Sequence, residues 1–107
     1  MRKASTKLGD CYEAAAKYVL DHHYEDDAND LTLVHGEARG QGKIEGIRFG
    51  HAWVEKGSTV IDVSNGQDIN LPKVVYYALG DISKTHRYTP KEMTRKLVEN
   101  KHWGPWT

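Results

Sequence analysis

The sequence predicts one α+β domain over residues 1–107, an N-terminal helix packed on a small antiparallel sheet of about four strands and closed by a C-terminal helix. Three observations predict it. Apolar residues recur at spacings of three and four after residue 10, and a capped, proline-initiated segment follows residue 88. Between these lie runs rich in β-branched and aromatic residues, broken by glycine turns. At 107 residues the chain can bury one core without disulfides.

In the first element, Asp10 is placed to cap free amides, and Glu13 completes a capping box. Cys11 then falls at the first helical position of a helix over residues 11–23, with Ala14, Ala15, Tyr18 and Val19 as its apolar stripe. Residues 24–30 are acidic, lack periodicity and read as a loop. A short strand over 31–35, a glycine-rich connection over 36–42 and an extended run over 44–54 follow. The strongest strand signal is the hairpin His51-Ala52-Trp53-Val54-Glu55, Lys56-Gly57, Ser58-Thr59-Val60-Ile61-Asp62-Val63. With Lys56-Gly57 as its two-residue loop, Glu55 faces Ser58, Trp53 faces Val60 and His51 faces Asp62; a three-residue loop would turn Asp62 to the other face.

Asn65-Gly66 marks a turn, residues 71–79 read as a helix started by Pro72 and stopped by Gly80, and residues 82–88 read as a last strand. Thr89-Pro90-Lys91-Glu92 opens a final helix that runs to about residue 100. Trp103 and Trp106 imply a docked tail.

Lys plus Arg and Asp plus Glu balance at fifteen each, which argues against a nucleic-acid or anionic-membrane partner. The opening MRKASTKLGD lacks the apolar stretch of a secretory signal, and no run approaches the roughly 20 apolar residues of a spanning helix. A cytoplasmic protein is expected. One cysteine excludes an internal disulfide and a thiolate zinc site, so the interest of Cys11 lies in its thiol.

A helix N-terminus favours the thiolate, the working nucleophile of cysteine chemistry. An imidazole in reach takes the thiol proton, and a carboxylate behind it fixes the ring tautomer. The His51/Asp62 pair supplies both, because opposed residues on one face have Cβ atoms about 4.5–5.5 Å apart.

Three segments carry a family resemblance: Gly9-Asp10-Cys11-Tyr12-Glu13-Ala14-Ala15, Gly50-His51-Ala52-Trp53-Val54-Glu55 and Val60-Ile61-Asp62-Val63. Cysteine on a helix start, then histidine and aspartate on successive strands, resembles papain-like and transglutaminase-like cysteine hydrolases. The resemblance implies a core of that kind, with Cys11 as nucleophile, His51 as general base and acid, and Asp62 as its orienter. It also implies acyl transfer at a carboxamide of a protein or peptide substrate, by hydrolysis, deamidation or transamidation, with no cofactor. The Cys11 amide is the expected oxyanion donor.

Each residue has a plainer reading. Cysteine packs as a small hydrophobe, histidine on a strand is often structural, and Trp53 reads as core or as a wall beside the site. His22-His23 with His35 or His51 resembles a metal set, but neighbouring helical positions point about 100° apart, so no metal is expected. Residues 36–43 fail the phosphate-loop spacing. The rival class is a non-catalytic interaction module that binds through Lys91, Arg95, Lys96 and Lys101 with Trp103 and Trp106. Oligomeric state is left open.

Overall fold

The computed structural model describes residues 11–22, 31–39 and 47–106. The order is α1 (Cys11–His22), β1 (Leu31–Arg39), β2 (Arg48–Lys56), β3 (Thr59–Asp62), a 3-10 turn (Ser64–Gly66), β4 (Ile69–Pro72), α2 (Lys73–Gly80), β5 (Ser83–Tyr88) and α3 (Pro90–Asn100). The α+β layout is as expected, but the antiparallel sheet has five strands, in the order β4-β3-β2-β1-β5. The Asp10 cap, His23, the acidic loop at 24–30 and the connection at 40–46 lie outside the described residues.

Period-two alternation assigns the two sheet faces. Leu33, Ala52, Val54 and Ile61 meet Cys11, Ala15, Ala16 and Val19 of α1 and Met93 of α3. The buried stripe of α1 thus includes Ala16 in place of the expected Ala14, following the spacing Cys11, Ala15, Val19. On the other face Val34, Trp53 and Val60 pack under Tyr76, Tyr77 and Ile82. Chain order explains that second layer: β4 and β5 stand at opposite edges, so α2 lies on the connection from one edge to the other.

Four boundaries depart from the sequence reading, each for a local reason. β1 continues through Gly36 to Arg39, because a Cβ at Gly36 would stand 3.0 Å from Trp53 Cη2; the glycine admits the indole and is no loop residue. The β2–β3 loop is Gly57-Ser58, with φ +61° at Gly57, and Lys56 pairs with Thr59. A glycine at the first central position suits a tight hairpin, whereas Lys56-Gly57 would force Lys56 into that conformation. Leu71 belongs to edge strand β4, where Ile69 and Leu71 alternate with exposed neighbours. Pro72 is extended (φ −55°, ψ 140°) and caps α2 instead of opening it, which an edge position tolerates.

The capping box of α3 is complete: Thr89 Oγ1 accepts from the Glu92 amide at 3.1 Å, and the Thr89 amide donates to Glu92 Oε1 at 2.9 Å. The tail docks, with Trp103 and Trp106 against the α1 core and Trp106 Nε1 donating to the His102 carbonyl at 2.9 Å.

His35 is buried among Tyr12, Trp106 and Tyr88, with ring centroids 4.8, 4.8 and 5.1 Å away, and neither ring nitrogen has a hydrogen-bond partner among the described residues. Burial, and then the charge of His86 across the ladder, hold its imidazole down at about 4 against an ordinary 6.5. Below pH 6.5 the unfolded chain takes a proton that the folded one refuses at His35, so the part of the stability linked to His35 is full above that pH and is lost towards pH 4. That loss is expected to be on the order of 3 kcal/mol in urea unfolding, and His35→Leu to flatten it.

Candidate active site

Alternation along β2 determines what each face receives. Ala52 and Val54 pack on α1, while His51, Trp53 and Glu55 point to the α2 side. The β2–β3 ladder runs from Lys56–Thr59 to Val54–Ile61 and ends there. His51 therefore stands beyond the segment paired with β3, while it still pairs with Gly36 of β1.

Cys11, the first residue of α1, is a free and buried thiol. Its neighbour Tyr12 sets the helix end close to β2: a Cβ at Gly50 would run into the Tyr12 hydroxyl. Glycine before His51 thus lets α1 approach, and the Cys11 thiol comes close enough to the His51 ring to raise its proton affinity.

Behind the ring, His51 Nε2 lies 3.0 Å from Asp62 Oδ2 and 3.0 Å from Tyr76 Oη. Tyr76 donates its hydroxyl to the same Asp62 oxygen at 2.6 Å, so Nε2–H is shared between carboxylate and phenol. Both contacts use Nε2, which leaves Nδ1 for the thiol. Asp62 Oδ1 accepts from the Ser64 amide at 3.0 Å and from the Ser64 hydroxyl at 2.6 Å.

The three residues singled out in the sequence therefore come together, but through a different register. Glu55 pairs with Val60, not Ser58, so on the continued strand Asp62 falls opposite Trp53 and diagonal to His51. A slip of two residues keeps every side chain on its face, and diagonal neighbours lie about 7–8 Å apart, within reach of an imidazole and a carboxylate.

The electrostatics follow from burial and contact. Burial pulls the His51 imidazole down, but hydrogen bonds to Asp62 and Cys11, with their charges, push it up to about 9. Burial acts upward on Asp62, and hydrogen bonds from His51, Ser64 and Tyr76 outweigh it and hold the carboxyl at about 2. Burial, followed by the Asp62 charge, raises the Tyr76 phenol far above its ordinary range, so it remains a donor.

Tyr76 and Ser64 escaped the sequence reading. Ser64 had a legible signal, since an aspartate often accepts from the amide two residues on. Tyr76 had none, because its approach depends on how α2 crosses the sheet. A second acid, Glu55, is also buried, and it accepts from Trp53 Nε1 at 3.1 Å, Tyr77 Oη at 2.5 Å and Arg87 at 3.3 Å. Of the histidines weighed as a metal set, His51 is bonded to Asp62, His35 sits in its aromatic box and His22 stacks on Tyr18, while His23 lies outside the described residues. Among the described residues no three His, Cys, Asp or Glu side chains are grouped to hold a metal ion, and no helix is long and apolar enough to cross a membrane.

Tyr76→Phe removes one donor from a buried carboxylate and is expected to cost about 1.5–3 kcal/mol in urea unfolding. It should also displace the pH profile of Cys11 alkylation. Tyr77→Phe, which breaks the Glu55 contact from the same helix, should leave that profile in place. No protein-family model matches the chain, and no curated protein sequence or solved structure does either.

Proposed function

We propose that the chain is a cysteine-dependent acyl-transfer enzyme acting on a carboxamide of a protein or peptide substrate, in the manner of papain-like and transglutaminase-like hydrolases. The observation that carries this reading is the continuous path from the Cys11 thiol through the His51 ring to the saturated Asp62 carboxylate.

In the proposed reaction the Cys11 proton resides on His51 Nδ1, and the ring is held as imidazolium between Asp62 and the thiolate. The sulfur attacks the carboxamide carbon, and the oxyanion that forms is met by the Cys11 backbone amide at the helix start. His51 passes its proton to the leaving nitrogen as the C–N bond breaks, which leaves a thioester on Cys11. Water or an amine then attacks the thioester while His51 takes its proton, the C–S bond breaks, and the proton returns the pair to its starting state. Asp62 and Tyr76 position the ring through Nε2 and do not touch the reacting atoms. The reaction needs no cofactor. A cytoplasmic setting, where unpaired thiols stay reduced, suits a single working cysteine.

The alternative of a non-catalytic module rests on the basic face of α3. Trp103 and Trp106 pack on the core, which leaves Lys91, Arg95 and Lys101 as the exposed groups a partner would meet.

Iodoacetamide alkylation of Cys11, followed by mass spectrometry across pH, tests the reading. Alkylation should be rapid at neutral pH and fall by about tenfold or more in His51→Ala. Reactivity indifferent to His51, or an inert thiol, would favour the module.

A further inference from the structure

Beside His51, on the α2 face, a cavity of about 280 Å³ opens between β2, β4 and α2. Its walls are Phe49, Ile69, Leu71, Tyr76, Leu79 and Ile82, with His51 and Arg39 among its few polar groups. Phe49 is 37% exposed and Leu79 60% exposed, so apolar surface is left facing water next to the site. The Phe49 ring meets the His51 ring edge-on at 5.9 Å, which makes the groove continuous with the site.

The charge of the described residues at its margin is unbalanced. Arg39 and Arg48 are cross-strand partners, and both reach the same Asp81 oxygen, at 3.2 and 2.7 Å. Arg48 is further engaged by the Asp81 carbonyl at 3.0 Å and the Ser83 hydroxyl at 3.1 Å. Among the described residues two guanidinium groups thus share one carboxylate, leaving a surplus positive charge. Arg39 is the half-exposed member and lines the cavity. From His51 to the Arg39/Arg48 pair is three residues along β2, about 10 Å. That is the reach of two or three extended peptide residues.

We propose that this groove binds the free C-terminal end of a peptide, with an apolar side chain between Phe49 and Leu79 and the terminal carboxylate on Arg39. The proposal deepens the acyl-transfer reading, since it names the substrate class of the same site. An apolar side chain removes the exposed walls from water, and a planar carboxylate matches the fork of a guanidinium. A free C-terminus brings a carboxylate to answer the surplus whatever its side chains, whereas an internal segment brings one only through an acidic side chain.

Calorimetric titration of Cys11→Ala, which cannot turn over, tests this with acetyl-Gly-Phe bearing a free carboxylate, its C-terminal amide, and acetyl-Gly-Ser bearing a free carboxylate. The phenylalanine acid is expected to bind about tenfold or more tighter than either relative. Arg39→Gln should erase the gap between acid and amide, and Leu79→Asp the gap between phenylalanine and serine. Both positions are at least half exposed, so neither change should unfold the chain. Equal affinities for acid and amide, or for phenylalanine and serine, would overturn the proposal. Selective binding by a chain whose Cys11 resists alkylation would sink the acyl-transfer reading and leave the groove standing as a binding site.

Discussion

An ionised carboxylate as deeply buried as Asp62 costs several kcal/mol unless its lone pairs are met. Four hydrogen bonds meet them, from the Ser64 amide and hydroxyl, from Tyr76 and from His51. The donors come from the 3-10 turn, α2 and β2, so satisfying one carboxylate fixes three elements against one another. The imidazole is part of that settlement. Its Nε2 edge is committed to Asp62, which leaves Nδ1 for the thiol, and its orientation follows from a requirement of the fold.

The same logic explains α2, which has no buried residue although most of its side chains are apolar. Two tyrosines on successive positions hold it down, Tyr76 on Asp62 and Tyr77 on Glu55. The helix is thus tethered by hydroxyls aimed at two buried acids, while Val74 and Leu79 face outward at 77% and 60% exposure. A helix docked through its apolar stripe would have no such surface beside His51. Polar tethering of the helix and an apolar groove at the site are two results of one arrangement.

What could be read from the sequence was set by local chemistry. The capping box Thr89–Glu92 and the alternation around Trp53 need only near neighbours, and both appear as expected. His51 and Asp62 were identifiable for the same reason, since one hairpin brings them close and even a two-residue error in register keeps the faces right, while Cys11 stood out by its place at a helix start. The features that escaped depend on distant partners. Gly36 looks like a loop glycine until Trp53 is known to need its space, and Leu71 looks helical until an edge position for Pro72 is known. Tyr76 reaches Asp62 only because α2 crosses one face of the sheet, a matter of strand order that no local pattern encodes.

The most direct test of the thiol site is the reaction of the full chain with p-nitrophenyl acetate, followed by nitrophenolate release and intact mass. A working Cys11–His51 pair should give a burst of nitrophenolate, an acetyl group on Cys11, and then steady turnover as water clears the thioester, with burst and turnover both lost in His51→Ala. Ester hydrolysis no faster than with free cysteine, with no acetyl group on Cys11, would contradict the account and leave the three residues as a structural network.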